Sequence, residues 1–166
     1  AIMTEEMPKN GELSLDMMYQ TCGTQINLDY SSEEDFKKKF QIISFLTPLT
    51  IALFSNSAIK ENSPTGFLSY RSKVWQSTSR GGLPDIFLEN LTFEKYADFT
   101  LNFPLLFLFK NNHYISPKGK KYKNLIENGE ANIDNLQLHL STIFTELRLK
   151  KYIELRSIDA CEWDCH

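Results

Sequence analysis

Two stretches of this chain, residues 21–30 and 147–157, alternate polar and apolar side chains, and this alternation constrains the fold more than any other feature. Successive side chains of a β-strand point to opposite faces of a sheet, so each stretch is predicted to be a strand with one polar face. The apolar faces can cover one hydrophobic core. The polar faces then consist of Gln25, Asn27 and Asp29 in the first stretch and Arg148, Tyr152, Glu154 and Arg156 in the second.

If both strands lie in one sheet, their polar faces form a floor of amides, carboxylates and guanidinium groups. Such a floor can hold metal ions and phosphates. The alternative is a pair of half-exposed strands whose polar sides face solvent, and periodicity alone favours this alternative. The residues by themselves also favour an ion pair of Glu154 with Arg148 or Arg156 over a role as a ligand.

Composition narrows the class of protein. The 166 residues, 42 % of them apolar, suffice for one domain, or part of a larger one, with a substantial core. A net charge of −3 gives no reason to expect nucleic acid or an anionic membrane as a partner. The longest apolar runs, at 49–54 and 104–109, are too short to span a bilayer. Three irregularly spaced cysteines and no visible signal peptide predict a reducing, cytoplasmic location.

The longest helix is predicted to begin at residues 31–35, where two serines precede three acidic residues. Its apolar stripe starts at Phe36 and Phe40 and is expected to continue to Leu53. Because proline cannot donate a backbone hydrogen bond, we expect Pro48 to kink or divide this helix.

A second, short helix at 69–77 places Arg71 and Trp75 on one face, because they are four residues apart. A surface cation–π pair is the commoner outcome of such spacing. The loop at 78–84 is expected to be flexible and carries one cation, Arg80. The other predicted elements are an irregular segment at 1–16, a helix at 92–101, a β-hairpin at 105–115 and helices at 122–127 and 133–143. Together they predict an α+β fold, a mainly antiparallel sheet flanked by helices.

Four segments match one known pattern, in order and at plausible spacing. They are 15–29, which ends in Gln25-Ile26-Asn27-Leu28-Asp29; 50–57; 66–75, which contains Tyr70-Arg71-Ser72; and 139–156, which ends in Tyr152-Ile153-Glu154-Leu155-Arg156. In these segments the chain resembles the plant-type and proteobacterial glutamate–cysteine ligases, members of the glutamine-synthetase-like carboxylate–amine ligases. The resemblance runs from about residue 2 to residue 163. It implies that residues 1–166 are part of a single catalytic domain of this type.

The resemblance implies an ATP-dependent ligation. In this family, ATP phosphorylates the γ-carboxylate of L-glutamate, and the amine of L-cysteine then displaces phosphate from the acyl phosphate. The product is γ-glutamylcysteine, in the first step of glutathione synthesis. Such chemistry depends on positioning and on neutralising phosphate charge, which implies Mg²⁺ as a cofactor and ATP as a co-substrate.

The resemblance also implies roles for individual residues. Glu154 and Gln25 match metal ligands, Arg156 and Asn27 match groups that bind the phosphates of ATP, and Arg156 and Arg148 match catalytic cations. The residues implied in substrate binding are Arg71, Trp75 and Arg80.

Parts of the family pattern are missing. No early strand with closely spaced glutamates precedes Gln25, since Glu5 and Glu6 are adjacent, and the C-terminal part of the domain is absent. We therefore expect a fragment that is inactive by itself. Two alternatives stay open: a related ligase with another acceptor amine, and a non-catalytic binding protein that kept the fold. The oligomeric state is not predicted.

Three other features are expected to have no catalytic role. His139 lies between two leucines and is predicted to be a packing residue. Cys22 falls on the apolar face of its strand and is predicted to be a small buried hydrophobic residue. The spacing of Cys161, Cys165 and His166 is that of metal ligands, but no second cluster accompanies it, which argues against zinc.

Overall fold

A three-stranded antiparallel sheet forms the centre of the protein in a computed structural model that describes residues 2–162. Its strand order is β1–β7–β6, so β7, the last strand in the chain, lies in the middle. Helices cover the sheet and two small hairpins flank it, which confirms the predicted α+β class. The strands are β1 (Gly23–Leu28), β2 (Ile59–Lys60), β3 (Ser63–Pro64), β4 (Leu108–Lys110), β5 (His113–Ile115), β6 (Leu147–Leu149) and β7 (Ile153–Asp159).

The helices agree with the predicted positions beyond residue 30. The α-helices are α1 (Ile2–Glu6), α2 (Ser14–Tyr19), α3 (Glu33–Leu53), α4 (Tyr70–Gln76), α5 (Phe93–Asn102), α6 (Tyr122–Glu127) and α7 (Ile133–Ser141), and 3-10 turns cover Met7–Asn10 and Asp85–Leu88. The prediction of an irregular segment at 1–16 is wrong. Met7 and Met17 pack in a core cluster with Val74 and Trp75, and this packing stabilises the helical segment.

The second polar stretch is a hairpin, not the single strand that was predicted. The amide of Lys150 donates to the carbonyl of Tyr152 at 2.8 Å, and the chain reverses there between β6 and β7. Arg148 consequently stands directly opposite Glu154. The two share a face because antiparallel partners do so, and not because they alternate along one strand.

A β-bulge interrupts the pairing of β1 with β7. The register moves by one residue between the pairs Ile26–Leu155 and Thr24–Ile158, so that Arg156 and Ser157 together stand opposite Gln25. Bulges bend a strand and re-aim its side chains. Here the extra residue returns Ile158 to the hydrophobic core, where it packs with Leu155.

Helix α3 begins as predicted and continues where a break was expected. The hydroxyl of Ser32 accepts a hydrogen bond from the amide of Asp35, as a helix cap does. Pro48 lies inside an uninterrupted helix. Proline in a helix interior removes one backbone hydrogen bond, and packing against the sheet can outweigh that loss.

The apolar residues of α3 form two stripes rather than one. Phe36 and Phe40 are completely buried against the sheet with Leu155 and Ile158. The C-terminal apolar residues face outward, contrary to the expectation that they extend the buried stripe. The exposed set is Ile42, Phe45, Leu46, Leu49 and Leu53.

Candidate active site

Helix α4 carries the first two candidate residues into the interior. The hydroxyl of Ser69 caps the helix by accepting from the amide of Ser72 at 3.1 Å. Asp159 of β7 accepts from that same Ser69 hydroxyl at 2.9 Å, which ties the helix start to the sheet. Arg71 and Trp75 are then only 4 % and 5 % exposed, so they do not form the surface pair that the spacing most often produces.

Two guanidinium groups pack on the ring of Trp75. The Cζ atom of Arg71 lies 4.4 Å from the ring centre and that of Arg156 lies 4.8 Å from it. Arg71 also donates through Nη2 to the main-chain carbonyl of Arg156. Burial lowers the pKa of Arg156 to about 10, and the neighbouring positive charge of Arg148 acts in the same direction. Two cations at one ring form a site suited to an anion.

A buried carboxylate, Glu146, stands beside this pair and was not predicted. The amide of Arg156 donates to the carbonyl of Glu146 at 2.8 Å, so the two residues face each other across the β6–β7 pairing. Glu146 is 2 % exposed. Burial raises the pKa of its carboxyl, while the charges of Arg71 and Arg156 oppose that shift.

The sequence contained a signal for Glu146. The triplet Glu-Leu-Arg occurs twice, at 146–148 and at 154–156. In an antiparallel pair of such triplets, each glutamate faces the arginine of the other strand. A prediction of one strand over 147–157 leaves Glu146 outside that strand and hides this pairing.

One of the two glutamate–arginine pairs, Arg148 with Glu154, forms a salt bridge. The Nε of Arg148 lies 2.5 Å from Oε2 of Glu154, and the Nζ of Lys150 lies 2.6 Å from Oε1. Burial by itself would raise the pKa of Glu154, but these two hydrogen bonds outweigh it and hold the pKa below its ordinary value. Glu154 is 3 % exposed, so this is a buried ion pair, the alternative that the residues alone favoured.

The side chains of the other pair, Glu146 and Arg156, form no hydrogen bond with each other. Within residues 2–162, eight buried side-chain nitrogen or oxygen atoms have no hydrogen-bond partner, and six of them belong to one cluster of four residues. Unpartnered buried polar groups are rare in folded proteins and costly to stability. Their concentration marks this cluster as a binding site. The six atoms are Oε1 and Oε2 of Glu146, Nε and Nη1 of Arg156, Nη1 of Arg71 and Nε1 of Trp75.

A cavity of about 420 Å³ opens at this cluster. Arg71, Trp75 and Arg156 line it together with Gln25. Another part of the cavity lining is apolar and rich in thioether groups. The residues of this methionine wall are Met3, Met7, Met17, Met18 and Phe144.

Gln25 and Asn27 lie on the exposed β1 strand at the margin of the polar floor. Gln25 is opposite the bulge that contains Arg156 and reaches the cavity. Asn27 is the direct partner of Glu154. The structure therefore brings Asn27, Glu154 and Arg148 into one row across the three strands.

The residues present do not form a complete Mg²⁺ site. Among residues 2–162, no group of three or more histidine, cysteine, aspartate or glutamate side chains is arranged to hold a metal ion. Glu154, the implied ligand, has one oxygen bonded to Arg148 and the other to Lys150. Mg²⁺ requires near-octahedral oxygen coordination, and this carboxylate is neutralised by cations instead.

Arg80 is not a loop cation that closes over a site, as had been expected. It is 1 % exposed, and its guanidinium donates to the carbonyls of Thr142 and Pro104 and to the hydroxyl of Thr142, at 2.8–3.0 Å. Its own carbonyl accepts from the amide of Phe144. Arg80 thus holds three chain segments together, and it does not line the cavity at Trp75.

Of the predictions for residues without a catalytic role, one is confirmed and one is wrong. His139 is a packing residue, as predicted: it is 1 % exposed, its Nε2 lies 2.7 Å from the carbonyl oxygen of Thr100, and its ring stacks on Tyr122. Burial lowers its pKa. The prediction for Cys22 is wrong, because this thiol is free and exposed just before β1 begins. Cys165 and His166, of the terminal spacing, lie outside the described residues.

Comparison with known proteins agrees with the resemblance. The family model described as glutamate-cysteine ligase family 2 matches residues 1–166. Glutamate–cysteine ligase A, chloroplastic, of Oryza sativa subsp. japonica is 41 % identical over 172 residues, which cover 98 % of this chain and 35 % of the relative. The chloroplastic glutamate–cysteine ligases of Medicago truncatula and Arabidopsis thaliana are 40 % and 41 % identical, with 98 % of this chain and 34 % and 33 % of the relative covered.

The chain thus spans about a third of the length of the curated relatives it matches. The prediction of a cytoplasmic location is wrong by this comparison, because these relatives are named as chloroplastic enzymes. Within residues 2–162, no helix combines the length and apolar character needed to cross a bilayer.

Proposed function

This chain belongs to glutamate-cysteine ligase family 2, and we propose that it supplies the amino-acid pocket of an enzyme that joins L-glutamate to L-cysteine. The observation that carries the proposal is the cluster of six unpartnered buried atoms on Glu146, Arg156, Arg71 and Trp75. A ligand that accepts hydrogen bonds from the two arginines and the indole would supply partners for the four nitrogen atoms of this cluster. An amino-acid carboxylate is such a ligand.

Arg71 and Arg156 are assigned to a carboxylate of glutamate, and Trp75 to the wall on which both guanidiniums rest. Guanidinium groups bind carboxylates through paired hydrogen bonds, which fixes the orientation as well as the position of the substrate. Fixed orientation is a large part of what a protein contributes to a reaction between two bound substrates. Trp75 excludes water from one side of both cations, which strengthens their attraction for an anion.

The methionine wall is assigned to the apolar part of the bound amino acids. Thioether side chains are polarisable and adapt their shape to a neighbour. Met3, Met7, Met17 and Met18 come from the helical segment at the start of the chain and line the same cavity as the arginines. A substrate held there has its charged end at Arg71 of α4 and Arg156 of β7 and its apolar atoms on the helices at the start of the chain.

ATP and Mg²⁺ belong to the proposal for the whole enzyme. The proposed reaction forms a γ-glutamyl phosphate, which the cysteine amine then attacks with release of phosphate. Arg148 and Lys150 are cations on the polar floor beside Glu154, and they support a role of this region in neutralising phosphate. Since the described residues do not complete a metal site, no step is assigned to the metal here.

The proposal is tested by calorimetric titration of L-glutamate into the chain. We expect binding that Arg71→Gln or Arg156→Gln weakens at least tenfold, since each variant removes a charged hydrogen bond of roughly 1.5–3 kcal/mol. Lys123→Gln, which changes an exposed cation far from the cavity, is the matched control. A chain that is folded by circular dichroism and shows no glutamate binding would contradict the proposed pocket.

A second titration tests the nucleotide. Mg²⁺–ATP is added with and without L-glutamate, and Glu154→Ala serves as the variant. Binding that Glu154→Ala abolishes would support a usable half-site on this chain. We expect no cysteine-dependent release of ADP by the chain alone, and such release would overturn the assignment of an incomplete active site.

A further inference from the structure

Glu146 and Arg156 face each other across two paired strands without forming a hydrogen bond between their side chains. Their main chains are joined at 2.8 Å. The neighbouring pair, Arg148 and Glu154, shows that this pairing allows contact, because its atoms meet at 2.5 Å. Arg156 instead packs over Trp75, and both oxygens of Glu146 are left without a partner among the described residues.

The other acidic groups near Glu146 are already occupied. Asp159 accepts hydrogen bonds from the amide of Asn56 and from the hydroxyls of Ser57 and Ser69. Glu154 is bound by Arg148 and Lys150. Oε2 of Glu154 also lies 3.6 Å from Nε of Arg156. In the part of the chain that the structure describes, Glu146 is therefore the carboxylate beside Arg71 and Arg156 whose own oxygens have no hydrogen-bond partner.

We propose that Glu146 tunes the charge selectivity of the cavity at Arg71, Trp75 and Arg156, so that the cavity prefers dianions such as phosphate and sulfate over a single carboxylate much less than the two arginines alone would. The inference rests on the proposed function of this cavity. Glu146 lowers the net charge without occupying the guanidinium donors, which stay available to a ligand. Its charge repels a dianion twice as strongly as a monoanion at the same distance.

Such selectivity has a purpose in a ligase. The co-substrate and the proposed intermediate carry phosphate groups, and two bare arginines at a tryptophan ring would bind them as well as an amino acid. The buried carboxylate of Glu146 beside the arginines weakens the binding of phosphate groups, so that the pocket stays available to the amino acid. Substrate discrimination is a difference of affinities, and a built-in repulsion against the competitor provides it.

The experiment compares L-glutamate with sulfate, which stays dianionic at every pH used. Dissociation constants for both are measured by calorimetry at constant ionic strength for the unmodified chain and for Glu146→Gln, which keeps the shape and removes the charge. We expect the affinity ratio of sulfate to glutamate to rise roughly tenfold or more in Glu146→Gln. Glu146→Asp retains the charge and should keep the ratio of the unmodified chain. Glu127→Gln, a change at an exposed helical position away from the cavity, should leave it unchanged.

The outcomes separate this inference from the proposed function. If the unmodified chain binds glutamate and Glu146→Gln does not change the ratio, the inference is wrong and the pocket stands. If the unmodified chain binds no glutamate, the proposed pocket fails and the inference fails with it. A Glu146→Gln chain that does not fold would also overturn the inference, because Glu146 would then be a structural ion-pair partner.

Discussion

Gly23 lies directly against the guanidinium of Arg71. A Cβ atom at position 23 would lie 2.7 Å from Nε of Arg71 and 2.9 Å from the carbonyl oxygen of Ile158. The first contact is with a side chain that can move, and the second is with the backbone of the central strand. The absence of a side chain at Gly23 is thus what allows Arg71 to lie between β1 and Trp75.

Gly23→Ala is expected to weaken glutamate binding at least tenfold while the chain stays folded. The added methyl group displaces Arg71 from its position over Trp75, and a misplaced cation loses a charged hydrogen bond of roughly 1.5–3 kcal/mol. Calorimetric titration measures the affinity. Cys22→Ala, at the exposed neighbour, is the control. Unchanged affinity in Gly23→Ala would show that Arg71 is not placed by this contact.

Asp159→Asn is expected to reduce the free energy of unfolding by about 2–4 kcal/mol. Asp159 accepts from three donors, and an asparagine would turn an NH₂ group toward one of them, leaving a buried donor unsatisfied. Urea unfolding followed by circular dichroism measures the loss. Asp29→Asn, at an exposed position, should change the stability by less than about 0.5 kcal/mol. A loss as small as that of this control would contradict the role of Asp159.

Arg80→Met is expected to destabilise the chain by about 2–4 kcal/mol without changing the ratio of sulfate to glutamate affinity. The substitution leaves the carbonyls of Thr142 and Pro104 without their donors inside the protein. Thermal and urea unfolding measure the first effect and calorimetry measures the second. A changed affinity ratio would show that Arg80 contributes to substrate binding, although it does not line the cavity at Trp75.

Glu154 and Glu146 are expected to affect stability with opposite dependence on pH. The pKa of Glu154 is lowered in the folded chain, so its stabilising contribution is present above the ordinary carboxyl pKa and is lost as the pH falls through the lowered value. The pKa of Glu146 is raised by burial, so its favourable contribution exists at low pH and is lost as the pH rises through the raised value.

These signs give a paired test by urea unfolding between pH 3 and pH 8. At the upper end, Glu154→Gln should lower the free energy of unfolding by about 3 kcal/mol or more, because it breaks a buried ion pair. Glu146→Gln should leave it equal or raise it. Arg71, Arg156 and Asp159 are the charged groups that influence Glu146. The expectation fails if Glu146→Gln destabilises the chain at pH 8 as much as Glu154→Gln does.

Local signals predicted much of this fold. The serine cap before α3, the four-residue spacing in α4 and the polar face of β1 depend on residues close together in the chain, and local patterns therefore predicted them. The same signals pointed to Arg71, Trp75, Arg156 and Glu154 as candidates. They also determined the family resemblance, because its motifs lie within these elements.

Which of these side chains meet depends on how distant segments pack together. The turn at Lys150 to Tyr152 placed Glu146 opposite Arg156, and the bulge placed Gln25 opposite Arg156 on the other side of β7. Arg80 became a buried brace because three distant segments close around it, and one stripe of α3 was buried while the other stayed exposed. Burial and pairing depend on long-range packing, whose free energy exceeds local preference at each of these positions.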